Sequence, residues 1–289
     1  SLDRLTRLPE RPRIVVVDNG SSDGTAAAIA GRFPGVELVC LGENLGAAGR
    51  NVGVERLDTP YVAFSDDDTW WEPGSLRRAA DLLDAHSRVA LLTGRILVGL
   101  EEASICRALE NSPLPSEPGL PGRPLLGFLA GASVARRSAL REAGGFDPRF
   151  FIGGEEEVLA LDLVTRGWQI RYVPDLVAHH APSQRRDVPR RNRTQVRNAL
   201  WVAWLRRPWP GALRCTFVIG RSALRDRATR QGLAAALGGL PWVLRERRVV
   251  PPEIERQIRL LESNRIPTSD DMPPVPRAAP PDSAARASA

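Results

Sequence analysis

Apolar residues along this chain first come in short β-branched runs separated by helical stretches, and from about Arg190 in longer helical stretches alone. Arg13-Ile-Val-Val-Val17, bounded by the turn residues Asp18-Asn19-Gly20, predicts a buried strand. Asp23-Gly24-Thr25 opens an Ala-rich helix to about Arg32, and a second strand spans about Val36 to Leu41. The glycine-punctuated segment from Gly42 to Gly53 opens another helix, and Tyr61 to Ser65 forms a strand followed by Pro73 at a helix start. This alternation predicts an α/β fold with a mostly parallel sheet flanked by helices. Residues 111–124, crowded with Pro and Gly, read as a loop able to cover a site. Order resumes at Gly127 to Arg136, then a helix from about Glu155 to Arg166 and strands at Trp168–Val173 and Leu176–His179. Beyond Arg190 the pattern predicts a C-terminal helical extension, whose last helix follows Pro251-Pro252 and runs to about Asn264. The tail from Pro267, rich in Pro, Ala and Ser, predicts disorder.

A chain of 289 residues, 43% hydrophobic and 26% charged, can bury one or two full cores. The patterning divides it into a domain over 1–185, a basic helical extension over 186–265 and a tail over 266–289. Cys40, Cys106 and Cys215 make no zinc or disulfide pattern, which predicts a reducing, cytoplasmic setting. Charge is uneven: residues 1–184 carry 19 Arg against 25 acidic residues, and residues 185–248 carry 16 Arg against 3. That asymmetry points to an anionic partner: phosphate groups, a membrane surface or nucleic acid.

The strand at Tyr61–Ser65 runs into three consecutive aspartates, Asp66, Asp67 and Asp68, and two of the three histidines stand together at His179-His180. Carboxylates at the carboxyl end of an apolar strand lie where open α/β sheets hold ligands. Aspartate oxygens with one imidazole suit Mg2+ or Mn2+, whose remaining positions substrate phosphates often fill. The plainer alternative is a solvated acidic turn capping the helix near Pro73.

Five segments in this order resemble glycosyltransferase family 2, whose members have the GT-A fold: VVVDNGSSDGT (15–25), ENLGAAGRNVG (43–53), VAFSDDDTWWEPGSL (62–76), GGFDPRFFIGGEEEVLALDLVTRGWQI (144–170) and VAHHAPS (177–183). The resemblance covers roughly residues 1–185, with a family-like basic extension after it. Ser1 to Leu5 resemble the end of the family's first helix, so the comparison implies a chain that lacks the first strand and most of that helix.

The resemblance implies an inverting, metal-dependent transfer of a sugar from a nucleotide-diphosphate donor to an acceptor hydroxyl. It implies Asp66 and Asp67 near the donor's ribose and phosphates, Asp68 as a ligand of the divalent ion, and His179 as a further metal or diphosphate ligand, with His180 hydrogen-bonding nearby. Asp18 resembles the residue that contacts the donor base, although the same residues also favour an Asx-turn. Asn44, Arg50 and Asn51 occupy a helix entry suited to phosphate. The family's carboxylate pair, a fixed distance before a Gly-Trp, falls on Glu155-Glu156, with Glu156 as general base and Glu157 as a competitor. Trp70, Trp71, Gly131 and Phe151 either shape the sugar pocket or pack in the core.

The implied partners are a nucleotide-sugar donor and a carbohydrate or lipid-linked acceptor, with a place in the cytoplasm or peripherally at the inner face of the membrane. Arg190, Arg191, Arg193, Arg197, Arg206 and Arg207 accompany Val196, Leu200, Trp201 and Trp204, a combination that suits either an anionic membrane surface or packing on the catalytic domain. Two other functions compete. A sugar nucleotidyltransferase would show a glycine-rich amino-terminal loop with a basic residue, and the opening residues have none. A non-catalytic nucleic-acid-binding protein would use the Arg-rich segment but leaves the acidic motifs unexplained, so no nucleic-acid partner is expected.

Overall fold

The computed structural model describes residues 1–99, 103–104, 107–182 and 188–264. The expected tail over 266–289 and the boundary at 185/186 lie outside the described residues. In chain order the first elements are α1 (Leu2–Leu5), β1 (Val15–Asp18), α2 (Thr25–Arg32), β2 (Glu37–Cys40), α3 (Gly49–Arg56), β3 (Tyr61–Ala63), β4 (Thr69–Trp71), α4 (Ser75–Ala85) and β5 (Val89–Val98). They are followed by β6 (Ala103–Ser104), α5 (Arg107–Glu110), β7 (Arg123–Leu125), β8 (Ser133–Arg136), α6 (Arg137–Ala143), α7 (Glu155–Thr165) and β9 (Gln169–His180). Five helices complete the described chain: α8 (Val188–Arg206), α9 (Trp209–Ala223), α10 (Arg227–Gly238), α11 (Leu240–Glu246) and α12 (Pro252–Ser263).

The α/β architecture is as expected, with a central sheet flanked by helices and a helical C-terminal region. The pairing corrects one detail. A seven-stranded sheet runs β3-β8-β5-β9-β4, with β6 beside β5 and β7 beside β9. Within it only β5 and β9 run parallel. The other parallel pair, β1 with β2, forms a separate two-stranded sheet. The antiparallel partners β3–β8, β5–β8, β4–β9 and β7–β9 are not consecutive in the chain, so long-range packing and not hairpin turns sets their direction. The central strand is β5, for which the segment pattern gave no expectation; its Val89 to Leu92 run is buried on both faces, as a central strand should be.

The two strands read at 168–179 are one strand, β9, with a register shift where Gly94 pairs with Val173 and Arg95 with Val177. Past the shift β9 continues to His180 alongside β4, matching Thr69 to His180 and Trp70 to His179. That ladder brings the aspartate turn and the histidine pair together.

Two apolar clusters hold the molecule. One joins the sheet to α4, α6 and one side of α7; the other packs Phe150, Val158 and Leu161 against Leu200, Trp201, Trp204 and residues of α9 to α12. Of the two readings of Leu200, Trp201 and Trp204, a membrane surface or packing, the structure shows packing. All three are buried, because Trp201 donates to the Ala236 carbonyl of α10 (3.0 Å) and Trp204 to the Thr216 hydroxyl of α9 (2.8 Å). The arginines around them are engaged as well: Arg206 forms two bonds to Asp162 (2.7 and 2.8 Å), and Arg207 pairs with the buried Glu255 (2.9 Å) and with Glu262. Among the described residues no helix is long and apolar enough to cross a membrane.

Candidate active site

Four elements converge at the carboxyl ends of the strands. The chain leaving β3 turns sharply at Asp66, where the Thr69 hydroxyl accepts from the Asp66 N–H (2.7 Å) and the Thr69 N–H donates to the Asp66 carbonyl (3.1 Å). The turn aims the Asp66 carboxylate at α3, where Arg50 meets it at 2.5 Å. The other carboxylate oxygen lies against the tight turn Ala130–Ala132. A Cβ on Gly131 would sit 2.7 Å from it, so only glycine lets that backbone come so close. From the far side of the same turn, the Ala130 N–H donates to Glu156 at 2.6 Å.

Glu155 and Glu156 open α7 after Gly153 and Gly154, both at positive φ. The sequence places three acids in this first turn, where the helix dipole favours them. Burial pushes the Glu156 carboxyl up to about 7; the Ala130 N–H and Arg50 pull it down, while Glu155 and Asp66 push it further up. Burial likewise raises Glu155, whose Oε2 is buried without a hydrogen-bond partner. Glu157 faces outward. Arg50, Asp66, Glu155 and Glu156 thus form one electrostatic unit, with a carboxyl near neutrality and an arginine beside it.

The histidines part company. Asp68 lies 3.1 Å from His180 Nε2, whereas His179 bonds Glu72 at 2.6 Å and stacks on Trp70 with ring centroids 5.3 Å apart. Asp68 thus meets His180, the residue expected to hydrogen-bond nearby, while His179, the expected metal or diphosphate ligand, lies against Glu72. Within the ladder His179 shares a face with Trp70 and His180 shares the other with Thr69; Asp68 stands in the turn before β4, where strand alternation does not hold its side chain, and it meets His180. Among the described residues no cluster of three His, Cys, Asp or Glu side chains could hold a metal by itself. One carboxylate with one imidazole still fits a hard divalent ion that takes its remaining ligands from substrate phosphates and water. Asp67 points into solvent.

Other expected residues hold the site's frame. Asp18, buried at the end of β1, accepts from the Ser21 N–H at 3.3 Å, the turn its sequence favours. Asn44 accepts from the Gly46 N–H (2.8 Å). Asn51 uses both ends of its amide on the Phe146 backbone, donating to the carbonyl (2.8 Å) and accepting from the N–H (2.9 Å), and so ties α3 to the turn before α7. The Phe151 carbonyl accepts from the Ala47 N–H (2.6 Å), while Trp71 is core, its indole donating to the Phe64 carbonyl (3.0 Å).

Several contributors escaped the sequence reading. Asn19 braces the glycine-rich entry, accepting from the Leu45 N–H (2.9 Å) and donating to the Gly46 carbonyl (2.9 Å). Asn198, fully buried on α8, donates to the carbonyls of Phe150 (2.8 Å), Ile152 (3.1 Å) and Gly153, clamping the loop that presents Glu155 and Glu156. Arg197 adds a bond to the Phe150 carbonyl (3.0 Å). Asn19 stands inside a motif and was open to discovery; Asn198 acts across more than forty residues of sequence, where no local pattern shows it.

Residues 1–144 match the model of Glycosyl transferase family 2, a span that ends before Glu155. An N-acetylglucosaminyl-diphospho-decaprenol L-rhamnosyltransferase of Mycobacterium tuberculosis is 28% identical over 225 residues, covering 64% of this chain and 73% of the relative. The structure of S. aureus TarS 1-349 in complex with UDP-GlcNAc superposes with a TM-score of 0.55 at 17% identity, over 82% of this chain and 66% of that one. GalNAc-T7 with UDP, GalNAc and Mn2+ superposes with a TM-score of 0.53 at 13% identity, over 71% of this chain and 44% of that one. At such identities the solved structures establish a shared fold, the GT-A fold.

Proposed function

Because this chain belongs to glycosyl transferase family 2, we propose that it is an inverting glycosyltransferase that moves a sugar from a nucleotide-diphosphate donor to a hydroxyl of a lipid-linked or carbohydrate acceptor. The observation that carries this reading is Glu156, held by the Ala130 N–H at 2.6 Å beside the Arg50–Asp66 pair, its carboxyl pushed up to about 7 by burial. Inversion in a single displacement needs one base to take the acceptor proton as its oxygen attacks the anomeric carbon. A group near neutrality is well matched to that work.

In this mechanism Glu156 holds and removes the acceptor proton, positioned by the Ala130 N–H. Arg50 supplies fixed positive charge beside the departing diphosphate, and Asp66 orients its guanidinium. Asp18 reaches the donor base and Asp67 the ribose. Asp68 and His180 would hold Mg2+ or Mn2+, which when bound acts as a Lewis acid on the leaving phosphates. The rhamnosyltransferase relative is named for a diphospho-decaprenol acceptor, which supports a lipid-linked acceptor here.

The test is a thermal-shift screen of UDP-, dTDP- and GDP-sugars with Mn2+ or with chelator. Stabilisation by one nucleotide class that requires the metal is expected; a chain that no nucleotide sugar stabilises would overturn the reading.

A further inference from the structure

The arginine-flanked helix α8 is buried, but the next helix, α9, is the reverse. Trp209, Leu213 and Phe217 on α9, with Leu224 just past its end, are 51%, 62%, 65% and 80% exposed. At about 100° per residue they fall within an arc of about 80° on one side of the helix. Arg221, Arg214 and Arg225 continue that arc, all exposed. The side that adjoins the stripe at Trp209 is fixed inward: Ala212 and Ala223 are buried, and Thr216 takes the hydrogen bond from Trp204 that sets the helix's rotation (2.8 Å).

The charges on this face differ from those on its neighbours. Arg206, Arg207 and Arg259 pair with carboxylates, whereas Arg214, Arg221 and Arg225 make no ion pair among the described residues. No acidic residue lies between Trp209 and Arg225. Asp226, the first to follow, caps α10 by accepting from the Thr229 N–H (2.6 Å). Arg247 lies over the Trp209 ring, 4.1 Å from its centroid, and so brings another cation to the edge of the stripe. A contiguous apolar stripe bordered by unpaired arginines matches a surface that offers hydrocarbon beneath anionic headgroups, with Trp at headgroup depth.

We infer that the outward face of α9 seats the protein on an anionic lipid surface. The inference rests on the proposed lipid-linked acceptor only for its purpose, since seating the enzyme there would bring the site to a hydroxyl held at that surface. The binding itself needs no turnover.

The test is flotation of the full 289-residue chain with phosphatidylcholine vesicles, with and without phosphatidylglycerol. The parent should float with the anionic vesicles at low salt and be released at high salt. A Leu213→Ser/Phe217→Ser variant should lose about tenfold or more in partition. An Arg214→Gln/Arg221→Gln/Arg225→Gln variant should lose about fivefold per charge. All of these side chains are exposed, so both variants should keep the parent's melting temperature and its nucleoside-diphosphate affinity. A parent that ignores anionic vesicles at low salt, or a double variant that floats like the parent, would overturn the inference. So would sedimentation showing a dimer that the double variant abolishes, because a second copy would then be the occupant. A parent that binds donor but does not float counts against this surface alone; a parent that floats but binds no donor counts against the transferase reading alone.

Discussion

Asp68 and His180 face each other at 3.1 Å where β4 meets β9, while His179, one residue earlier, is turned away onto Glu72 and Trp70. Two adjacent histidines therefore have separable duties. His180→Ala should weaken Mn2+-dependent binding of nucleoside diphosphate by about tenfold or more. His179→Ala should leave metal dependence intact. Calorimetry with Mn2+ and with chelator distinguishes them, and the opposite ranking would return the metal role to His179.

Glu156→Gln keeps the acceptor for the Ala130 N–H and removes the basicity. Turnover should fall by about 10² or more with little change in donor affinity. In the parent the base is active only when deprotonated, so turnover should rise with pH through about 7, and that limb should vanish in the variant. Near-normal turnover in Glu156→Gln, with loss in Glu155→Gln, would move the base by one residue.

The same group makes a prediction about stability. Folding raises its proton affinity above the usual carboxylate value, so the folded state binds more protons and its advantage declines as pH rises from that value through about 7. The melting temperature of the parent, measured against Glu156→Gln, should therefore drop over that window. A flat difference would mean that the carboxyl is not perturbed.

Gly131→Ala places a methyl 2.7 Å from the Asp66 carboxylate. Displacing Asp66 frees Arg50 from its orienting partner, so donor affinity should fall, at a stability cost of about 1–3 kcal/mol. Urea melts with nucleotide titration check both. Unchanged donor affinity would mean that the Arg50–Asp66 pair does not serve the donor.

Asn198→Ala leaves the carbonyls of Phe150, Ile152 and Gly153 without their clamp and should cost about 1–3 kcal/mol. Because Asn198 positions the start of α7 and touches no donor element described here, kcat should fall more than donor affinity. Equal losses in both would make its role one of general stability.

How much of this was open to reading depends on the range of each interaction. The start of α7 at Glu155 and the turn after the β3 strand were legible, because motif spacing and local turn chemistry determine them. Which histidine meets Asp68 was not: the turn that carries Asp68 into β4 decides it together with the long-range pairing of β4 with β9. The apolar side of α8 has the same Trp-and-Arg pattern whether lipid or protein covers it, and the cover comes from α7, the loop before it and α9 to α12, which no local pattern shows. The central strand β5 has no turn signature or polar alternation to set it apart. Its importance comes from its neighbours.

The small parallel sheet of β1 and β2 bears on how donor capture proceeds. Val15 to Val17 are only half-buried, and β1 has no strand partner apart from β2 among the described residues. Two strands alone are weakly held, so this edge should open locally far more often than β5. Asp18 sits at its tip. A donor base resting there would find part of its cradle still fluctuating, and binding would include an ordering step. Amide exchange through Val15 to Asp18 should slow when nucleotide is added, while the already rigid Val89–Leu92 amides stay as they were.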